Sequence, residues 1–142
     1  MAKQTINCDI VSAEEEIFSG EAAMLYATGE MGELGIAPRH TPLLTRLKPG
    51  QVRIETPDGD QRIYYVSGGM LEVQPHLITI LADTADRAEN LDEAAAQRAK
   101  EDAERQLADR TGDQEIAEAQ AQLAEAVAKI QTLQKLRRKL GK

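Results

Sequence analysis

Tryptophan is absent from this sequence of 142 residues, which contains only one Phe, three Tyr and one Cys. A core without large aromatic side chains must be filled mainly by Ile, Leu, Val and Met. The single cysteine, Cys8, alternates with Ile6 and Ile10 in the first apolar run, so we expect it to be a small buried hydrophobic residue. It cannot form an internal disulfide, which fits a reducing compartment.

Long hydrophobic runs are also missing. No apolar stretch approaches the ~20 residues needed to span a bilayer. Residues 1–3 lead directly into a strand pattern, without the apolar segment of a signal peptide. We therefore expect a soluble chain whose contact with any membrane is made through another protein.

Glycine and proline disappear between Asn90 and Gly112, whereas earlier they separate short apolar runs. This change, which begins near Asp83, divides the sequence into two predicted parts, residues 1–85 and 86–142. The first part holds 6 basic and 12 acidic groups, and the second holds 11 and 12. Strand-like patterning followed by an Ala-rich, charged helical pattern favours a scaffold with a movable arm over an enzyme.

The first part reads as a series of strands. Alternating apolar residues predict short strands at 4–12, 24–28, 51–56, 61–67, 70–73 and 77–82. The clearest hairpin is 51–67, where Pro57-Asp58-Gly59-Asp60 supplies a fixed φ, a side-chain acceptor and a positive-φ residue. Strands of this length and spacing predict an antiparallel β-sandwich.

The second part reads as two helices. Asn90-Leu91-Asp92-Glu93 is typical of a capping box, in which Asn90 would accept a backbone N–H and Glu93 would lie at the third helical position. We expect this helix to end near Asp109. Thr111-Gly112-Asp113 would then break it, with Gly112 in a left-handed cap conformation and Asp113 capping the next helix.

The second predicted helix carries a seven-residue apolar repeat formed by Ile116, Ala119, Leu123, Ala126, Ile130, Leu133 and Leu140. Its acidic groups come early and its basic groups late, which complements the helix macrodipole. Few of the hairpin's side chains are large, so their burial offsets only part of the conformational entropy that the hairpin loses on folding. We expect the arm to dock on the sandwich or on a partner, with two docked states close in free energy.

Motifs that suggest chemistry have simpler readings here. The glycine-rich segment 29–35 lacks the helix and the Gly-Lys-Ser/Thr of a nucleotide loop, so we interpret it as tight turns. His40, His76 and Cys8 do not have metal-ligand spacing. Ser67-Gly68-Gly69 reads as a bend between strands rather than a nucleophile turn. The helix carboxylates are spaced to pair with cations, as Glu101 with Arg105, so no catalytic residue is predicted.

The basic tail, 135–140, is the charge cluster that calls for a hypothesis. Residues 129–142 hold six Lys or Arg and no Asp or Glu. One reading is a solvated helix end favoured by the macrodipole. Another is contact with an acidic protein surface, and nucleic acid is a weaker alternative because no aromatic stacking residue lies nearby.

Several sequence blocks occur in a fixed order along the chain. They are Phe18-Ser19-Gly20, Gly32-Glu33-Leu34-Gly35-Ile36, Pro38-Arg39-His40-Thr41-Pro42-Leu43-Leu44, Lys48-Pro49-Gly50, Ser67-Gly68-Gly69-Met70-Leu71-Glu72-Val73 and Leu81-Ala82-Asp83-Thr84-Ala85. Together they closely resemble the epsilon subunit family of bacterial F-type ATP synthases, over nearly the whole chain.

The resemblance implies a ten-stranded sandwich that binds the gamma subunit and rests on the ring of c subunits, within the rotating central stalk. It also implies a two-helix antiparallel hairpin that folds down on the sandwich or extends towards the alpha and beta subunits, where it inhibits ATP hydrolysis. By motif position, Glu33 resembles the c-ring contact and His40 lies near the gamma-facing surface. The tail residues Lys135, Arg137, Arg138 and Lys139 would meet an acidic surface of the beta subunits.

Two departures from the family pattern matter. Arg39 stands where the family often has Gly, so we expect a turn that does not depend on a glycine-only conformation. Members that bind regulatory ATP carry Ile/Leu-Asp-x-x-Arg-Ala at the start of the first helix. Leu91 and Asp92 match that motif, but Ala95 replaces its Arg, and Arg98 one turn later is the remaining candidate cation. No cofactor is therefore expected.

Three hypotheses follow from the sequence. The chain is a regulatory rotor subunit that couples proton-driven rotation to ATP synthesis and inhibits hydrolysis, without chemistry of its own. Alternatively, it is a purely structural stalk adaptor, or its hairpin is a nucleotide sensor. In each case it would act as a peripheral part of the synthase on the cytoplasmic face of the bacterial plasma membrane, without binding nucleic acid.

Overall fold

The computed structural model describes residues 4–109 and 112–140. A run of strands precedes a short 3₁₀ helix, Ala88–Asn90, and two α-helices. The strands are β1 Ile6–Val11, β2 Glu16–Ala22, β3 Met24–Gly29, β4 Gly32–Ile36, β5 Leu43–Leu47, β6 Gly50–Glu55, β7 Gln61–Val66, β8 Gly69–Gln74, β9 Leu77–Ala82 and β10 Ala85–Arg87. The helices are α1 Glu93–Asp109 and α2 Asp113–Leu140.

The strands form a sandwich that folds back on itself around one core. Their order is β10-β7-β6-β3-β5-β8-β9-β1-β2, and β4 pairs with β3. All pairs are antiparallel except β1 with β9. This architecture, with two helices after it, confirms the predicted fold class.

Alternate residues of the strands point inward and fill the core with aliphatic side chains. Leu25, Ile54, Leu71 and Ile80 are fully buried there. Cys8 is also fully buried, as predicted. Burial, and to a lesser extent the nearby Asp9 carboxylate, raises the pKa of its thiol to about 12.

The predicted strand runs correspond to β1, β3, β6, β7, β8 and β9, whereas β2, β4, β5 and β10 were not recognised from alternation. The interpretation of segment 29–35 as turns was wrong for most of its length, because β4 pairs with β3 from Gly32 onwards. A Cβ on Gly35 would lie 3.2 Å from the Met24 methyl group, so this glycine gives room to a neighbouring side chain. Glycine has low strand propensity, which hid β4 in the sequence.

The hairpin between β6 and β7 is confirmed, with Gly59 at φ 90 and the Asp58 carboxylate accepting a hydrogen bond from the Thr56 hydroxyl. That bond, with one from the Asp60 backbone N–H, lowers the pKa of Asp58. The last strand, β10, pairs with β7 and ends at Arg87.

Local details of the helices differ from the predictions. Asp92, not Asn90, caps α1: its Oδ1 accepts a hydrogen bond from the Ala95 N–H at 3.1 Å, while Asn90 lies in the 3₁₀ helix. At the start of α2 the Gly112 carbonyl accepts the first helical bond, from Ile116, so Asp113 lies inside the helix. Thr111 lies outside the described residues.

Two further predictions about the helices were wrong. Arg105 pairs with Asp102 at 3.4 Å, one turn away on α1, rather than with Glu101. Leu140, the last member of the apolar repeat, is 73% exposed. Ala128 and Thr132 are also buried, although they are not part of the repeat. A seven-residue repeat marks one face of a helix, whereas α2 packs against both α1 and the sandwich and therefore buries two faces.

The long helix α2 lies between α1 and the outer face of β6 and β7. Tyr64 and Val66 of β7 point into the sandwich core, while Ile63 and Tyr65 point away from it and are buried nonetheless. The Lys129 ammonium group lies 5.4 Å from the centre of the Tyr65 ring. The hairpin is therefore docked on the sandwich in this structure.

Candidate functional site

The candidate sites predicted from the sequence lie on the surface of the molecule. Within residues 4–109 and 112–140, no three His, Cys, Asp or Glu side chains are placed to hold a metal ion. His76 lies exposed at the turn between β8 and β9. The remaining candidates lie at the β3–β4 hairpin, at the turn before β5, at the start of α1 and at the end of α2.

Glu33 lies beside the tip of the β3–β4 hairpin. Met31 at this tip is 99% exposed. The Glu33 carboxylate accepts a hydrogen bond from the Arg53 guanidinium at 3.0 Å, and that guanidinium lies 4.4 Å from the centre of the Tyr26 ring. Side chains from the adjacent strands β3 and β6 thus hold the side chain of Glu33 on β4, the predicted c-ring contact. Sequence reasoning missed Arg53, because the pairing of β6 with β3 brings it there from 20 residues away.

The turn before β5 carries His40. Its backbone N–H donates to the Ala37 carbonyl at 3.1 Å, and its ring Nδ1 lies 2.7 Å from the Thr41 carbonyl. Arg39 has φ 67, which is the left-handed region that glycine occupies without strain. The turn therefore has the conformation that glycine favours, although an arginine adopts it.

Next to this turn, the outer face of β5, β8 and β9 exposes apolar side chains. Leu44 on β5 is 65% exposed and Leu81 on β9 is 53% exposed, with Met70 of β8 opposite Leu81. Sequence reasoning did not select them. They could have been found from the sequence, because leucine occupies outward-facing positions in strands whose inward-facing positions already supply apolar side chains to the core.

The start of α1 lines a groove of about 580 Å³ between the two helices. Leu91 and Asp92 line it, as does Ala95 in place of the motif arginine. Within the described residues its charged lining consists of four carboxylates and one ammonium group, those of Asp86, Asp92, Asp102, Glu125 and Lys129. Arg98 lies exposed on α1 outside this lining, so the structure does not bring it together with Leu91 and Asp92.

The basic tail contacts carboxylates of its own chain. The Arg137 guanidinium donates to Glu93, the first residue of α1. Lys139 donates to the Gln61 carbonyl, and its Nζ lies 3.5 Å from Asp60 Oδ1 in the β6–β7 turn. Lys135 is half-buried, whereas Arg138 is exposed and forms no ion pair with the residues that the structure describes.

None of the helices within the described part of the chain is both long and apolar enough to cross a membrane.

Comparison with known proteins identifies the family. Residues 5–88 match the family model described as the ATP synthase delta/epsilon chain β-sandwich domain, and residues 89–134 match the long alpha-helix domain of the same chain. The ATP synthase epsilon chain of Nitrosococcus oceani is 61% identical over 137 residues, which are 96% of this chain and 98% of that protein. The epsilon chain of Stenotrophomonas maltophilia is 61% identical over 96% of this chain and 97% of its own length.

Solved structures give the same fold. A chain of the Euglena gracilis mitochondrial ATP synthase, in an OSCP/F1/c-ring structure, superposes with a TM-score of 0.81 at 21% identity, covering 87% of this chain and 78% of that one. A chain of the Tetrahymena thermophila central stalk and c ring gives a TM-score of 0.70 at 14% identity, covering 94% and 99%. The relatives and family models confirm the resemblance seen in the sequence, and the chain belongs to the ATP synthase delta/epsilon family as a relative of bacterial epsilon chains.

Proposed function

We propose that this chain joins the gamma subunit to the c ring in the central stalk of a bacterial F-type ATP synthase, and that its hairpin inhibits ATP hydrolysis. The match of both parts of the chain to one ATP synthase family carries the proposal. Both structural neighbours come from ATP synthase assemblies that include a c ring, and the Tetrahymena thermophila assembly is of the central stalk, which supports the proposal. The subunit would act on the cytoplasmic face of the plasma membrane through its partners, without chemistry of its own.

Two surfaces of the sandwich suit these partners. The β3–β4 tip presents Met31 and the Glu33 carboxylate, and we assign it to the c ring. The outer face with Leu44 and Leu81 begins next to the His40 turn, and we assign it to gamma, because its exposed leucines stand among the charged side chains of Arg46 and Glu72 and together offer apolar and polar contacts to a protein partner. Proton-driven rotation would then pass through a rigid body, since one continuous core supports both surfaces.

The hairpin suits a switch between two positions. Its docked contact with the sandwich leaves the Tyr65 hydroxyl and Gln51 Oε1 buried without a hydrogen-bond partner among the described residues. Such groups weaken an interface. We infer that the extended hairpin reaches the alpha and beta subunits, where Lys135, Arg137, Arg138 and Lys139 meet an acidic surface and block rotation.

Truncation after Ala88 in the assembled synthase tests this function. No residue of α1 or α2 belongs to the sandwich core, so the shortened subunit should still assemble. We expect ATP hydrolysis by the complex to rise, with rotation-coupled proton pumping retained. Normal assembly with unchanged hydrolysis would remove the inhibitory role. Looser assembly or coupling without faster hydrolysis would favour the purely structural adaptor.

The groove at the start of α1 is a poor ATP site in this proposal, because its carboxylates repel phosphates and Arg98 lies outside it. Calorimetry on the full-length subunit should give no binding heat with millimolar ATP. A saturable heat signal that Asp92→Ala removes would restore the nucleotide-sensor hypothesis.

A further inference from the structure

The end of α2 is held at two places that are far apart in the sequence. Glu93 opens α1 and lies 44 residues from Arg137, and Asp60 lies in the β6–β7 turn. We propose that Asp60 and Glu93 form an in-chain receptor for the basic tail. This receptor holds α2 on the sandwich and competes for the same cations with an acidic surface of a neighbouring subunit. The competition rests on the proposed function, whereas the receptor does not.

Helix lengths place the tail at this receptor. α1 has 17 residues and α2 has 28. At 1.5 Å per residue, α2 is longer by roughly 16 Å. Because the helices are antiparallel, this extra length runs past the start of α1 and along β7. Leu136 and Lys139 there line a cleft of about 250 Å³ together with Asp60, Gln61 and Ile63.

The contacts at the receptor differ in kind and reinforce one another. Lys139 meets the Asp60 carboxylate and the Gln61 backbone carbonyl, so one ammonium group contacts two adjacent residues where the turn enters β7. Its side chain is 30% exposed, less than that of Arg137 at 56%. Shielding from solvent strengthens an ion pair, and the packing of Leu136 lowers the entropy cost of fixing the last turns.

The same cations cannot serve two anionic surfaces at once. While α2 is docked, Arg137 and Lys139 are occupied, and an acidic partner must displace Glu93 and Asp60 to bind them. Arg138 points to solvent and is available in the docked state. The three neighbouring cations thus divide into two that hold the docked state and one that serves outside contacts only.

Neutralising the receptor, rather than the tail, separates these roles. In the isolated full-length subunit, spin labels at exposed Glu21 and Gln134 report docking by their distance distribution. We expect Asp60→Asn with Glu93→Gln to lower the docked-to-undocked ratio by about 3-fold to 10-fold at low salt, because exposed ion pairs are individually weak. Salt should undock the parent chain but leave this variant nearly unaffected.

Matched controls use exposed carboxylates of the same two elements. Asp58→Asn with Glu101→Gln should leave the docking ratio unchanged. Exchanging one pair, with Asp60→Lys and Lys139→Asp, should restore the docking ratio that Asp60→Lys alone lowers. An unchanged ratio in the Asp60 and Glu93 variant, or the same loss in the control variant, would overturn the receptor while leaving the proposed function standing.

The assembled synthase tests the competition. Asp60→Asn with Glu93→Gln keeps every tail cation and frees them, so we expect stronger inhibition of hydrolysis. Arg138→Ala should weaken inhibition without changing the docking ratio. If the receptor variant undocks α2 in isolation but does not inhibit more strongly in the complex, the competition fails and the in-chain receptor remains.

Discussion

The sandwich and the hairpin bury different kinds of side chain. The sandwich core is built of Ile, Leu and Val with almost no exposed surface. The buried residues of the helices are mostly alanines, namely Ala96, Ala103, Ala119, Ala126 and Ala128, joined by Thr132 and Leu133. Each alanine removes little apolar area from water, so burial stabilises the hairpin far less per residue. The free energy of folding is therefore concentrated in the part that we assign to gamma and the c ring.

The movement that we propose for the hairpin would leave the sandwich core intact. No residue of α1 or α2 contributes to the sandwich core, and docking covers mainly the outer face of β6 and β7. Thr132 satisfies its hydroxyl within α2, at 2.7 Å from the Ala128 carbonyl, so undocking does not break that bond. Separating the hairpin from the sandwich thus exposes buried surface and breaks a few ion pairs, while the hydrogen bonds within each helix remain.

The largest effect should come from Gly69→Ala in the sandwich. A Cβ at this position would lie 2.1 Å from the Leu81 carbonyl oxygen, with the backbone at φ +142. We expect a loss of more than about 4 kcal/mol in the free energy of unfolding, measured by urea denaturation. Gly32→Ala is the control, because φ is +131 there but no atom lies within 4 Å of the added Cβ. Equal losses in both variants would show that backbone strain, not the clash, decides the result.

The second test compares one leucine from each part. Leu71 is fully buried in the core, whereas Leu123 is half-buried in α2 and lines a cleft between this helix and the start of β6. Leu71→Ala should cost about 3 kcal/mol and Leu123→Ala about 1 kcal/mol.

Alkylation of Cys8 reports these losses, because its buried thiol reacts only when the sandwich opens. Leu71→Ala should accelerate labelling strongly, and Leu123→Ala should change it little while raising hydrogen exchange in α2. Faster Cys8 labelling in both variants would mean that the two parts unfold as one unit, and the comparison would fail.

A smaller and stabilising effect, on the docking of α2, is expected from a substitution at Tyr65. Its hydroxyl is buried between β7 and α2 without a partner among the described residues, and burial, followed by Glu125 and Asp86, raises its pKa. Tyr65→Phe removes the unsatisfied group and should favour docking by about 1 kcal/mol. Slower hydrogen exchange in α2 would show this. Tyr64→Phe, on the core side of β7, is the control and should leave that exchange unchanged.

Local signals account for what could be predicted from the sequence. The Pro57-Asp58-Gly59-Asp60 turn was recognisable because its residues act within four positions. The cap of α1 was misplaced by two residues, since Asn90 and Asp92 are equally suitable acceptors in isolation. The partners of the tail were out of reach, because Lys139 and Gln61 lie 78 residues apart and only the docking of α2 brings them together.

The smallest effect should come from Arg39→Gly, in the turn before β5. Arg39 has φ 67, where a non-glycine residue costs roughly 1 kcal/mol, while glycine adds entropy to the unfolded chain. We expect a net gain of about 0.5 kcal/mol in urea denaturation, whereas Arg46→Gly in β5 should lose a similar amount. If Arg39→Gly also weakens binding of gamma, the sandwich retains a strained arginine for contact. Losses of stability in both variants would mean that the Arg39 side chain offsets its own strain.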